Sequence, residues 1–234
     1  MLSIVIPTLN EEKYLPLLLK SIKEQNVEEK YELIVADAGS VDKTLEIARD
    51  FGCNIIEGGL PAKGRNEGAK VAQGDLFLFM DADLKMPKDF LKKSLKEFKE
   101  RNLDVASYCL IPRTGRKIFK TAFNLLYNWP ITLCQNFLAH GSSAILVKKS
   151  IFQEVGGFDE DIKLAEDHYF TRQASKIGRF GVIKSTKVYI TMRRFEADGY
   201  LPTLFKYLIC HLYMFSGKPA KSKIFNYKFN HYEK

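Results

Sequence analysis

The 234-residue chain has only four cysteines, Cys53, Cys109, Cys134 and Cys210, and no two of them lie close in sequence. Such spacing excludes a disulfide framework and a zinc site of paired cysteines, and it points to reduced thiols in a cytosolic setting. Long apolar runs are also missing: no stretch of about 18 residues is uniformly apolar, so no segment reads as a spanning helix. The opening MLSIVIPTLNEE has a short apolar run without a basic flank, which does not suit a signal peptide. Fifteen glycines and eight prolines are too few for a fibrous or low-complexity chain. Internal repeats and long linkers are absent from the sequence, which favours one composite domain.

Hydrophobic residues make up 46% and charged residues 27%, and these fractions exclude wholesale disorder. Lysine and arginine outnumber aspartate and glutamate by 36 to 28, a net charge of +8. That balance suits anionic partners: nucleotides, phosphates, nucleic acid or an anionic membrane. No zinc, RRM-like or helix-turn-helix signature accompanies it, so nucleic acid is set aside.

The first hundred residues alternate strand and helix signals. Apolar, β-branched runs at Leu2–Ile6, Tyr31–Ala36, Cys53–Glu57 and Leu76–Met80 predict buried strands. Between them, Glu11–Gln25, Asp42–Phe51, Lys63–Gln73 and Pro87–Arg101 predict helices; Leu15, Leu18, Leu19 and Ile22 of the first lie at helical spacing. This order predicts a mostly parallel sheet with helices on both faces. The second half is less regular. Strands are predicted at Asp104–Ile111, Ser143–Val147 and Val182–Ile190, and helices at Ile151–Val155 and Glu166–Ile177. Lys117–Ala139 reads as an aromatic helix interrupted at Pro130, and Tyr200–Phe215 as a second aromatic helix.

In parallel sheets, ligands bind beyond the C-terminal ends of the strands. Pro7, Thr8, Asn10 and Glu11 follow the first strand, Asp37, Gly39, Ser40 and Asp42 the second, and Asp81 and Asp83 the fourth. The DAGS string at Asp37–Ser40 is equally well read as a plain turn, with Asp42 as a helix cap. Asp81-Ala82-Asp83 carries more. Two like charges leaving a buried strand are unfavourable unless a cation or hydrogen bonds compensate them. Mg²⁺ or Mn²⁺, which take carboxylate oxygens together with substrate phosphates, would supply it.

The strings SIVIPTLNEE, ELIVADAGSVDKT, KGRNEGAKVAQGDLFLFMDAD, GSSAILVKKSIFQEVGGFDE and AEDHYFTRQASKIG occur in that order. Together they resemble the family 2 glycosyltransferases over about residues 2–190. The resemblance implies a GT-A fold: an α/β, Rossmann-like domain at 1–190, with a donor half at 1–103 and an acceptor half at 104–190. A C-terminal helical extension would follow at 191–234. It implies inverting transfer of a sugar from a UDP- or GDP-linked donor, with Mn²⁺ or Mg²⁺ as cofactor. It places Pro7, Thr8, Asn10, Glu11, Asp37, Lys63, Arg65 and Asp81 around the donor, and Asp83 on the metal. Gly141, Ser142 and Glu166 fall on the acceptor side, and Asp167 becomes the general base. Without the resemblance, Glu166-Asp167 reads as a first helical turn favoured by the dipole.

The processive polysaccharide synthases of that family carry a Gln-x-x-Arg-Trp motif and spanning helices. This chain has Met192-Arg193-Arg194-Phe195, so a single-transfer enzyme is expected. Arg194 is assigned to the diphosphate, with an ordinary surface pair as the other reading. The two aromatic segments have basic flanks, Lys117 and Lys120 for one and Lys218, Lys221 and Lys223 for the other. They suit either an interfacial contact at the inner face of a membrane or core and dimer packing, and a lipid-linked acceptor is compatible with the first. A metal-dependent nucleotidyltransferase is the competing enzyme class, but strand one leads into PTLNEE rather than a Gly-rich phosphate loop. A non-catalytic nucleotide-binding protein is the third reading.

Overall fold

The computed structural model describes residues 1–113, 120–121, 123–162, 164–199 and 202. The expected Tyr200–Phe215 helix lies outside those residues apart from Pro202; of the expected C-terminal extension, residues 191–199 and 202 are described.

The first half runs β1 (Leu2–Thr8), α1 (Leu15–Lys23), β2 (Tyr31–Asp37), α2 (Thr44–Asp50), β3 (Asn54–Glu57), α3 (Pro61–Val71), β4 (Leu76–Met80) and α4 (Phe90–Glu100). The second half runs β5 (Val105–Pro112), a π-helical turn (Asn124–Asn128), α5 (Trp129–Cys134), β6 (Ala144–Lys148), α6 (Lys149–Val155), α7 (Glu166–Ile177), β7 (Phe180–Ile190) and α8 (Arg193–Asp198).

Among the described residues, seven strands form one sheet in the order β3-β2-β1-β4-β6-β5-β7. β1 pairs in parallel with β2 and β4, β2 with β3, and β5 with β7. β6 is the reversed strand, antiparallel to both β4 and β5. The expected mostly parallel sheet with helices on both faces is therefore the one observed.

Period-2 alternation divides each strand between two cores. Leu2, Ile4 and Ile6 of β1 face Leu15, Leu18, Leu19 and Ile22 of α1, together with Phe90 and Phe98 of α4. Val5 faces the other way, with Phe77, Phe79, Phe152, Phe158 and Phe170. A helix can sit unusually close on this second face because α3 carries glycine where it crosses β1. A Cβ at Gly68 would strike the Val5 side chain, and one at Gly64 would meet Pro7. That close approach carries Arg65, one of the three residues between them, toward the strand ends.

The expected interruption at Pro130 takes the form of a change of helix type: the π turn passes directly into α5 with helical backbone at Asn128, φ −67° and ψ −41°, and the proline, which has no N–H to give to the preceding turn, follows immediately. Among the described residues, no helix is long and apolar enough to cross a membrane.

Candidate functional site

β1 lies between β2 and β4, so the chain leaves on one side to β3 and returns on the other with β4. The crevice at such a switch receives ligands in open α/β sheets. Two loops wall one side of it. Asp37 is buried, and its oxygens accept bonds from Thr8 Oγ1 at 2.8 Å, Gly39 N at 2.9 Å, Ser40 N at 2.7 Å and Ser40 Oγ at 2.5 Å. The carboxylate thus accepts three bonds from its own loop and a fourth from the end of β1, which agrees with the turn reading of DAGS. Asn10, with a positive φ of 53°, laces the loops together: its N–H donates to Ser40 Oγ at 2.8 Å and its Oδ1 accepts from Val41 N at 2.9 Å. Asp42 accepts from Glu12 N at 3.0 Å and from Thr44. Lys63 is exposed on α3.

Arg193 reaches across the crevice. Its Nη1 and Nη2 donate to the two oxygens of Glu11 at 2.9 and 2.7 Å, and its Nε lies 3.1 Å from Asp83 Oδ2. The guanidinium also stacks over the Tyr14 ring at 4.9 Å. Asp83 accepts a further bond from Thr191 Oγ1 at 2.5 Å. These residues meet because the loop after Asp83 pairs with β7: Lys85 and Tyr189 exchange two backbone hydrogen bonds, at 2.9 and 3.0 Å. Burial pushes the Glu11 carboxyl up to about 7, against the pull of Arg193 and with repulsion from Asp83 and Asp81 added. Of the two adjacent arginines, Arg193 is the one that grips Glu11 and Asp83.

A second chain of charge leads to the other side. Arg65, almost fully buried, donates to Asp81 Oδ1 and to Glu166 Oε1, each at 2.6 Å, and packs over the Phe158 ring at 5.2 Å. Asp81 is held further by its N–H, which donates to Ser143 O at 3.0 Å. Burial raises the Asp81 carboxyl above its ordinary range; Arg65 opposes the shift, while Asp83 and Asp167 add to it. Burial also raises Glu166, again opposed by Arg65 and reinforced by Asp167. Asp167 stands next to Glu166 at the start of α7, where Oδ1 accepts from His168 N at 2.8 Å. The preceding Ala165 is left-handed, with φ 62°, a conformation a non-glycine residue rarely adopts.

The Gly141 backbone lies directly against this helix start. A Cβ there would collide with the Asp167 carbonyl. Ser142 is buried, and its hydroxyl serves the sheet, donating to Ala144 O at 2.8 Å and accepting from Tyr108 N at 3.3 Å. It is a hydroxyl that serves the fold of this turn.

Sequence reasoning missed several neighbours. His140 is buried, and its ring lies 4.0 Å, centroid to centroid, from that of His168, beside Asp167. Asn66 clasps the glycine-rich loop before α7: it donates to Phe158 O at 2.9 Å and to Glu160 Oε1 at 2.8 Å, and accepts from Phe158 N at 2.8 Å. Thr191 and Tyr14 were also unmarked. Helical spacing would have put Asn66 beside Arg65, but nothing in the sequence says which loop it holds.

Glu11, Asp81, Asp83, Glu166 and Asp167 are joined in one electrostatic network with Arg65 and Arg193. Five carboxylates face two guanidiniums, in a protein that is basic overall. Burial raises Glu11, Asp81 and Glu166, and repulsion among neighbouring carboxylates adds to the shift. The donor set is hard oxygen, and Mg²⁺ and Mn²⁺ bind through one or two carboxylates plus substrate phosphates. Asp83 and Asp81 fit that role, although the described residues form no cage of three or more protein ligands.

Comparison with known proteins agrees with this geometry. The family model of Glycosyl transferase family 2 matches residues 3–152. The chain is 28% identical over 208 residues to the poly(ribitol-phosphate) beta-N-acetylglucosaminyltransferase TarS of Staphylococcus aureus, covering 82% of this chain and 35% of that one. It is 30% identical over 185 residues to the poly(ribitol-phosphate) beta-glucosyltransferase of Bacillus spizizenii, covering 74% and 29%. It therefore spans about a third of the length of these curated relatives. The crystal structure of S. aureus TarS 1-349 in complex with UDP-GlcNAc aligns with TM-score 0.66 at 28% identity, over 81% of this chain and 58% of that one. The mannosyltransferase PcManGT from Pyrobaculum calidifontis, in complex with GDP-Man and Mn²⁺, aligns with TM-score 0.65 over 81% and 56%; at 22% identity this is a likeness of fold. With a sheet, a crevice and a family model in agreement, the chain belongs to glycosyl transferase family 2 and has its α/β GT-A architecture.

Proposed function

We propose that this domain transfers a sugar from a nucleotide-diphosphate donor to an acceptor hydroxyl, with inversion at the anomeric carbon. The observation that carries the reading is the chain Asp81–Arg65–Glu166. Two bonds of 2.6 Å tie the acidic end of β4 to the acidic start of α7 in one crevice. A donor held at the first end has its reacting carbon facing the second.

The nucleotide lies along the laced loops of Pro7, Thr8, Asn10 and Asp37, with Lys63 on the adjoining helix. Likeness to the TarS structure holding UDP-GlcNAc favours a UDP-linked sugar over a GDP-linked one. Asp83, with Asp81 behind it, holds a divalent cation, which when bound neutralises charge on the departing diphosphate. Arg193 stands beside that position, and its neighbour Arg194 adds charge for the same diphosphate. Asp167 takes the proton from the acceptor hydroxyl as that oxygen attacks, from the face opposite the leaving group. Glu166 holds Arg65, Gly141 sets the backbone of Asp167, and Ser142 fixes the turn between them. The acceptor hydroxyl belongs to an anionic or lipid-linked carrier, reached at the inner face of a membrane.

The test is calorimetric titration of UDP-GlcNAc and GDP-mannose with and without Mn²⁺, for the native protein and for Asp83→Asn. The proposal expects metal-dependent binding of one donor, lost in the variant while the fold survives. Binding of neither donor, or unchanged Mn²⁺-dependent binding by Asp83→Asn, overturns it.

A further inference from the structure

The outward side of α5 and its flanks is apolar. Leu125 is 60% exposed, Leu126 72%, Trp129 58%, Leu133 62% and Phe137 94%. Leu125, Trp129, Leu133 and Phe137 recur every fourth residue, so they continue one stripe. From Thr121 to Val147 the sequence has no aspartate, glutamate, lysine or arginine, in a chain that is 27% charged. The outward face of a surface helix ordinarily carries charge, and an exposed stripe of large apolar groups marks an interaction site.

The stripe is held outward by its opposite face. Asn128, buried, exchanges two 2.8 Å hydrogen bonds with the backbone of Leu110 on β5. Gln135 Oε1 accepts from Val182 N on β7 at 2.9 Å. Ile131 is buried between them in sequence. Turning the helix to hide Trp129 or Phe137 would break these bonds.

We propose that this stripe inserts into the interface of an anionic lipid bilayer. Charge complementarity selects that occupant. The seven residues before the charge-free stretch, Thr114 to Lys120, contain Arg116, Lys117 and Lys120 and no acidic residue. A cationic segment leading into leucine and aromatic side chains suits the headgroup and acyl layers in turn. A second copy of this chain would bring the same cations against each other. The position is apt, since three residues beyond Phe137 come His140 and Gly141, whose backbone abuts Asp167. The inference deepens the membrane part of the proposed function. Its test reads lipid contact alone, so its failure leaves the transferase reading standing.

Trp129 is the single tryptophan of the chain, so its fluorescence reports on the stripe directly. The full-length protein is titrated with vesicles of phosphatidylcholine alone and with phosphatidylglycerol added, with bromine on the acyl chains in a parallel series. Insertion shifts Trp129 emission to the blue and quenches it with brominated acyl chains, on the anionic vesicles and less at high salt. The double variant Leu133→Ser/Phe137→Ser, altered only at exposed positions, should fold as the native chain does and bind at least about tenfold more weakly. Three results overturn the proposal: emission unmoved by either vesicle; emission already blue in the lipid-free monomer, which means the chain covers its own stripe; and a blue shift that follows protein concentration without lipid, which means a dimer.

Discussion

Arg193 binds both carboxylate oxygens of Glu11 from 182 residues further along the chain, and it does so beside Asp83. A buried carboxylate and its partner contribute little as a pair, but removing one partner leaves an uncompensated charge. Arg193→Ala should therefore cost about 1–3 kcal/mol of stability at pH 8, measured by urea unfolding. The loss should shrink at pH 5, where Glu11 carries a proton and no longer needs the cation. An equal loss at both pH values would show that the arginine acts through packing on Tyr14.

The sign of the pH effect at Glu11 follows from its shift. Burial raises its folded value to about 7 from the ordinary 4.5, so between those values the folded state holds a proton that the unfolded state has released. The group's contribution to stability is present in full below about 4.5 and is lost as pH rises through about 7. The stability of the native protein relative to Glu11→Gln should fall over that window by on the order of 3 kcal/mol at most. Unfolding curves of both proteins across the window measure the difference, and parallel curves would contradict the shift.

The two carboxylates at the start of α7 should separate in kinetics. Asp167→Asn removes the proposed base and should lower turnover by about 10²–10⁴-fold with donor affinity kept. Glu166→Gln instead weakens the hold on Arg65, so melting temperature and donor affinity should fall more than the chemical step does. Single-turnover transfer, donor titration and thermal melting of both variants resolve the pattern. Reversed effects would exchange the roles.

Gly141→Ala tests the backbone contact. The added methyl would meet the Asp167 carbonyl and must move α7's first turn. Turnover should drop by about 10²-fold, as misplacement of a reacting group by an ångström does, while donor binding is spared. An alanine variant of full activity would show that the helix start yields freely.

The first half was legible in the sequence because its strands are short apolar runs and its helices amphipathic. Leu2–Ile6 and Leu76–Met80 could hardly be anything but buried strands, and their ends named Glu11, Asp81 and Asp83. What could not be read was contact between distant segments. Arg193 reaches Glu11 only because Lys85 pairs with Tyr189, and a bridge between two loops leaves no periodicity. Asn66 is an ordinary polar residue until the loop at Phe158 folds over it. Which of two adjacent arginines turns toward Glu11 depends on the direction of a short helix, which their sequence does not reveal. Pro130 marks the irregularity of its helix, but the sequence does not say that it would take the form of a π turn before the proline.

The reversal of β6 has a consequence for how such a domain can vary. β5 ends, and β6 begins, at the same end of the sheet, because the two strands are antiparallel neighbours. Everything between Pro112 and Ala144 is thus an excursion that leaves and re-enters at one edge, like a drawer in a cabinet. Its length and surface can change while Asp81 keeps its bond to the Ser143 carbonyl and the loops after β1 and β2 stay laced. Chains built on this sheet can exchange what α5 and its outward stripe present without redesigning β1, β2 and β4 or the loops at their ends.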